Sequence, residues 1–278
     1  MNIGIIGTGS MGTILIDSLV EAKAVTPSQL FIHNRTSEKA KALEKKYSSL
    51  HICESPNEVV RQSDLIFICV KPLQFHALLE NIHQDCYRNQ LLVSITSPIS
   101  VKQLEKMVNC KVARAIPSIL NRAHAGPSLL SFGSRCSKED KEVLTSLLKN
   151  ISTPLVIEEN ITRVASDIVS CGPAFFSYLL QRFVDAAVRQ TDISEEDATT
   201  LATNMIIGMG KLLEKEIFTL PTLQQKVCVP GGITGEGIKV LEEEVGQMFD
   251  HLFQQTHAKY KEDKELIEQQ FSSKTYKE

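Results

Sequence analysis

Five short apolar runs, Ile3–Gly7, Leu30–His33, Leu65–Val70, Leu91–Ile95 and Lys111–Ile116, punctuate the first half of this sequence. They are rich in Ile, Val and Leu and lack strict polar alternation, which is how strands buried on both faces of a parallel sheet read. Helical stretches lie between them: Met11–Ala24, Ser37–Tyr47 and Leu73–Gln84. The second offers Thr36 and Ser37 as N-caps, with Glu38 in its first turn. Strand, helix, strand in repetition predicts an α/β fold with a Rossmann-type doubly wound parallel sheet. Past about Glu159 the texture changes to long helical stretches, Pro173–Thr191, Glu195–Glu216 and Gly235–His257, followed by a charged segment, Lys259–Glu278. Residues 1–158 are therefore expected to form the sheet domain. Residues 159–278 are expected to form an all-helical C-terminal domain with a solvated tail.

Gly7-Thr8-Gly9-Ser10-Met11-Gly12 sits directly after the first strand and directly before the first helix, the context that gives a GxGxxG pattern meaning. Gly7 allows the tight turn, Gly9 lets backbone amides approach a pyrophosphate, and Gly12 permits close helix–sheet packing. A carboxylate about 20 residues beyond such a loop marks NAD. Here that place holds Asn34-Arg35-Thr36 instead. Arg35 offers a planar fork for a phosphate dianion, with Asn34 and Thr36 as further donors, so the expected cofactor is NADP. Val70-Lys71-Pro72 and Ile95-Thr96-Ser97 end later strands and belong to the same crevice.

Composition removes several alternatives. The 278 residues amount to about two domains. Lys and Arg number 30 against 33 Asp and Glu, a net charge of −3 that argues against a generic nucleic-acid binder. Leu65–Val70 is far too short to span a bilayer. No basic region precedes Ile3, so no signal peptide is expected. The seven cysteines are scattered, without a CxxC pair, and the histidines show no ligand spacing. Reduced thiols, a cytoplasmic setting, no metal and no membrane partner are expected.

A second constellation lies in the helical part. Cys171-Gly172-Pro173-Ala174-Phe175 reads as a turn into a helix with proline at its first position. Val229-Pro230-Gly231-Gly232-Ile233-Thr234-Gly235 is another such turn. Its amides can form an anion nest, with Thr234 adding a hydroxyl.

These motifs, with Arg114-Ala115-Ile116-Pro117 and Leu241-Glu242, occur in an order and spacing that resemble the pyrroline-5-carboxylate reductase family over all but the charged tail. The resemblance implies NADP on residues 7–12, Asn34–Thr36, Val70–Pro72, Ile95–Ser97 and Asn57. It implies a small cyclic imine carboxylate against Val229, Gly231, Gly232, Ile233 and Thr234, with Thr234 as the catalytic hydroxyl. It also implies a homodimer through the helical domain, with possible higher assembly. The chain departs from the family at Val229, Gln225, Ser118, Pro98 and Cys171, where the usual residues are Ser, Asp, Asn, Gly and Ser. Lost polar groups in a substrate pocket weaken recognition. The departures suggest a divergent member similar to the ComER-type late-competence proteins, with a regulatory role or a different imine or hydroxyacid substrate as the alternative. A β-hydroxyacid dehydrogenase would instead need a helical lysine such as Lys211.

Overall fold

The computed structural model describes residues 1–272. Eight strands form one sheet in the order β3-β2-β1-β4-β5-β6-β7-β8. They are β1 (Ile3–Ile6), β2 (Leu30–His33), β3 (His51–Ile52), β4 (Leu65–Ile68), β5 (Leu91–Ser94), β6 (Lys111–Ile116), β7 (Pro127–Phe132) and β8 (Thr153–Val156). All neighbours are parallel except β6 and β7. The five strands read from the sequence are all present. The three others escaped for physical reasons: β3 has two residues, Ser128 and Ser131 interrupt β7, and β8 is a largely exposed edge containing Pro154.

The connecting helices are α1 (Ser10–Glu21), α2 (Ser37–Lys46), α3 (Pro56–Gln62), α4 (Phe75–Ile82), α5 (Val101–Met107) and α6 (Lys138–Lys149). One core side joins Ile5, Ile16, Leu19, Ile32 and Val93; the other joins Ile6, Val59, Ile68, Leu79 and Leu104. Central strands β1, β4 and β5 are buried at every position, as their unbroken apolar runs require.

Beyond the sheet come α7 (Thr162–Ser166), a π-helical turn (Asp167–Cys171), α8 (Gly172–Gln190), α9 (Glu195–Glu214), α10 (Leu220–Val227), α11 (Ile233–Val245) and α12 (Met248–Ser272). The chain forms two compact units. One contains Met1–Pro173 together with the segment from Thr256 onward; the other is Ala174–Gln255. This differs from a division at residue 158. Residues 159–173 stay with the sheet because Glu159 and Thr162 bond to Arg114 of β6.

The C-terminal stretch is not the solvated tail its charge suggested. Ile267 is fully buried in the core side containing Val59 and Leu79, and Phe271 packs against the same cluster. The expected tail's residues 273–278 lie outside the described residues. Charge on one helical face masks apolar positions one turn apart on the other, and composition averages the two.

Within Ala174–Gln255, Val184 of α8 and Ala198 and Ala202 of α9 form a small core. Phe176, Tyr178, Phe183, Leu201 and Ile207 stay more than half exposed or close to it.

Candidate functional site

Strand order reverses between β1 and β4. Open α/β sheets bind ligands beyond the carboxyl ends of their strands at such a point. Ile6 is level with His33 on one side and Ile68 on the other, so the loops after β1, β2 and β4 emerge together. Gly7 has φ +101°, its amide donates to His33 O at 2.8 Å, and a Cβ on it would meet Cys69 O at 2.8 Å. A Cβ on Gly12 would lie 2.0 Å from Gly7 O, so α1 starts directly against the turn. Gly9 is the opposite case: no atom lies within 4 Å of its would-be Cβ, which points into open space. No side chain caps α1 and no acid lies in its first turn, leaving its amides and positive end for an anion. Beside them the buried Thr8 Oγ1 has no hydrogen-bond partner.

Asn34 stitches the loops together. Its Oδ1 accepts from Thr8 N at 2.9 Å and its Nδ2 donates to Thr36 O at 2.9 Å. Both ends of that amide are thus engaged, although the sequence reading treated it as a phosphate donor. Arg35 is exposed and has no side-chain partner among the described residues. Thr36 occupies the N-cap position of α2 without a side-chain capping bond. A cleft of about 550 Å³ runs from Thr8, Gly9 and Ser10 along the facing sides of α1 and α2 to Asp17 and Lys46. Lys39, one helical turn beyond Arg35, lines it. The sequence places Lys39 beside Glu38 in the first turn of α2 without marking it as a ligand-binding group. Lys71 and Thr96 lie on the other side of the switch point and do not line this cleft.

Met11 follows Ser10 in the first turn of α1 and is half-buried. Cys69 borders the glycine turn, and burial pushes its thiol up to about 12, so it stays neutral and unreactive. Val70 is half-buried, Lys71 is exposed, and Pro72 opens a short 3-10 turn. Ile95, Thr96 and Ser97 are half-buried, with Thr96 N donating to Ser94 Oγ at 3.2 Å.

The carbonyl of Ser97 is held twice. It accepts from Arg114 at 3.1 Å and from the Tyr260 hydroxyl of α12 at 3.0 Å. Arg114 is 1% exposed. Its fork also donates to Ile99 O, Ser131 Oγ and Thr162 Oγ1 and makes two bonds to Glu159, at 2.9 and 3.0 Å. Burial raises the Tyr260 phenol above its usual range, so it remains a donor. An arginine inside an apolar strand run was the available signal for Arg114; Tyr260 gave none.

Asn57 lies in the first turn of α3. Its Nδ2 donates to Asn81 O at 2.9 Å and to Asp85 Oδ2 at 2.7 Å, which leaves its Oδ1 as the group able to face a ligand. The bond from Asn57 holds the Asp85 carboxyl below its ordinary 3.8, against burial and with help from Arg61. Since the folded value lies below the unfolded one, this brace contributes fully above pH 3.8 and is lost as the pH falls through the lower folded value. Thermal melts from pH 6 to pH 3 are expected to decline less steeply for Asn57→Ala than for wild type. Equal slopes would remove the brace.

Cys171–Pro173, expected as a turn, is instead continuous helix widened by one π turn. Proline at 173 has no amide for the carbonyl four residues back, that of Val169. Ser118 supplies the missing donor: its hydroxyl reaches Val169 O at 2.7 Å. Ser170 returns a bond to Pro117 O at 3.0 Å, joining the turn to the end of β6. Buried Asp167 in the turn pairs with Arg163 at 2.7 Å and accepts from Thr256 at 2.9 Å, with His257 at 3.5 Å. Cys171 is half-buried, with Arg163 at 3.5 Å from its sulfur.

The other predicted group lies in the second unit. Gly231 has φ +72°, and Gly232 N donates to Val229 O at 2.9 Å, closing the turn before α11. A Cβ on Gly232 would strike Val229 Cγ2 at 2.7 Å. No side chain caps α11. Val229 and Thr234 are exposed, and Ile233 is 92% exposed. Lys211 is exposed on α9. Thus residues 7–12, 34–36, 70–72 and 95–97 gather on the sheet unit, and residues 229–234 form a separate turn on the helical one. Among the described residues no cluster of three or more His, Cys, Asp or Glu could hold a metal, and no helix is long and apolar enough to cross a membrane.

Sheet order, glycine turn and helical second unit define a doubly wound oxidoreductase fold. The family model for pyrroline-5-carboxylate reductase dimerisation matches residues 159–263, and that for coenzyme F420-dependent NADP oxidoreductase matches residues 2–98. The chain is 54% identical to ComE operon protein 4 of Bacillus subtilis, over 98% of this chain and 99% of that one. It is 31% identical to pyrroline-5-carboxylate reductase 3 of the same organism, with the same coverage. It therefore belongs to the pyrroline-5-carboxylate reductase family. The crystal structure of Plasmodium falciparum pyrroline carboxylate reductase with NADP bound shares the fold, with TM-score 0.82 at 24% identity over 96% of this chain and 98% of that one.

Proposed function

We propose that this chain is an NADPH-dependent reductase of a small cyclic imine carboxylate, with 1-pyrroline-5-carboxylate the first candidate. The carrying observation is the unpartnered Arg35 just after β2, with no carboxylate at 34–36, beside a glycine turn that leads into an uncapped helix N-terminus and holds a buried Thr8 hydroxyl without a partner. Those groups fit a dinucleotide bearing a 2′-phosphate. Arg35 binds that phosphate, with Lys39 one turn further along α2. Residues 8–12 take the pyrophosphate; Lys71 and the turn at 95–97 border the remaining half. NADPH, when bound, supplies the hydride that reduces an imine carbon.

The turn at 229–234 offers backbone amides to the substrate carboxylate, and the Thr234 hydroxyl donates to the carboxylate or the imine nitrogen. Positioning and exclusion of water carry the rate, since no His or Lys acid stands in that turn. The exposed apolar side chains of α8 and α9 support a homodimer through the helical unit. Val229 and Cys171, together with the 54% relative, favour a second reading: a competence-related NADP-binding protein that no longer reduces this imine.

Titration with NADPH and NADH, followed by pyrroline-5-carboxylate, separates the readings. NADPH is expected to bind more tightly and be oxidised. Arg35→Ala is expected to weaken NADPH by about tenfold to a hundredfold, the worth of one or two charge-assisted bonds, and NADH hardly at all. Tight NADPH binding without oxidation above background would leave the second reading.

A further inference from the structure

The terminal helix reaches the rim of the crevice through the Tyr260 hydroxyl on Ser97 O. This carbonyl belongs to the turn after β5, which β1 and β4 separate from β2 across the switch point. A dinucleotide anchored at Arg35 spans that point, so its other half lies over the ends of β4 and β5. Two donors converge on the Ser97 carbonyl from opposite parts of the chain, Arg114 from β6 and Tyr260 from α12. Each donor is itself fixed. Arg114 is locked by Glu159, Thr162 and Ser131. The Tyr260 ring lies under the Arg163 guanidinium at 5.3 Å, Arg163 pairs with buried Asp167, and Asp167 accepts from Thr256 one helical turn before Tyr260. The first sheet-bound turn of α12 is therefore attached at two points, the π turn and the β5 turn.

We infer that Tyr260 is a positioning residue for the proposed reduction, acting through Ser97 to hold residues 95–99 in the shape that receives the non-adenine half of the dinucleotide. This rests on the NADP reading above. It makes cofactor geometry depend on the docking of the terminal helix. Tyr260 touches neither cofactor nor substrate itself; the turn does.

Tyr260→Phe removes the donor and keeps the ring on Arg163. In the nucleotide-free protein, the amides of residues 95–97 and 99 are expected to exchange about fivefold faster, the worth of one neutral hydrogen bond. NADPH is expected to bind about fivefold more weakly by fluorescence titration. Ile267→Val loosens the same helix away from Ser97 and is expected to lower the melting temperature while leaving NADPH affinity unchanged. Unaltered exchange at 95–99, or unaltered NADPH affinity in Tyr260→Phe while Arg35→Ala weakens binding, overturns the inference. Equal loss of affinity in Ile267→Val overturns it too, by reducing Tyr260 to a stability effect. Failure of the wild-type chain to bind NADPH overturns the NADP reading instead, and the exchange measurement still decides whether Tyr260 holds the turn.

Discussion

Alanine at Gly12 is expected to abolish nucleotide binding and to lower the stability of the fold by about 3 kcal/mol, the upper part of the range for overpacking. The added Cβ would stand 2.0 Å from Gly7 O, a backbone atom. Neither partner can yield locally. Gly7 is tied to His33 O and Thr8 to Asn34, so the turn cannot recede, and α1 is held by Leu15, Ile16 and Leu19 in the core. The first turn of α1 must shift, and with it the amides that face the anion. Gly9→Ala separates the two effects: its Cβ meets nothing, so the fold should keep its stability while the space for the pyrophosphate is filled. Urea denaturation and NADPH titration of both variants provide the check. Wild-type affinity in Gly12→Ala would mean that the cofactor does not use this turn.

Replacing Arg114 with Met should be strongly destabilising, by about 3 kcal/mol or more. The methionine fills much of the volume but leaves Ile99 O and Thr162 Oγ1 without the Arg114 donor and Ser97 O with Tyr260 alone. Glu159 suffers less, because its side chain is 48% exposed and water can solvate it. Glu159→Gln is accordingly expected to lose only about 1 kcal/mol, the worth of an ordinary hydrogen bond. Arg114→Lys should rescue little, since an ammonium cannot reach partners in the turn after β5, on β7 and on α7 together. Denaturant midpoints measure all three. A loss below about 1 kcal/mol for Arg114→Met would show that water takes over its bonds.

Apolar runs and glycine spacing make the central sheet legible in the sequence. Strands buried on both faces announce themselves by composition alone, and β1, β2, β4, β5 and β6 were found that way. Edge and antiparallel strands carry no such mark, which hid β3, β7 and β8. Of the crevice, the glycine turn and Arg35 could be read because local backbone and charge define them. The partners of Asn34 and Asn57 could not, for an amide's role depends on which loop folding brings beside it. The helix through Pro173 was misread as a turn because the compensating donor, Ser118, is 51 residues before Val169. Tyr260 is farther still from Ser97, by 163 residues. Long-range pairs of this kind have no signature in spacing.

The burial of Ile267 has a consequence for how the chain comes to be folded. Residues from α3, α4 and α5 on one side of the sheet share their core with a side chain near the C-terminus. Synthesis delivers that side chain after every other buried member of the cluster. On the ribosome the sheet can pair its strands early, but this face stays uncovered until the end of α12 emerges, and loops that long close slowly. A nascent or truncated chain ending near residue 258 would carry an open apolar strip where the finished protein has none, and is expected to bind chaperones and aggregate while its sheet forms normally. The last turns of α12 thus close a hydrophobic face whose other members, from α3, α4 and α5, leave the ribosome much earlier.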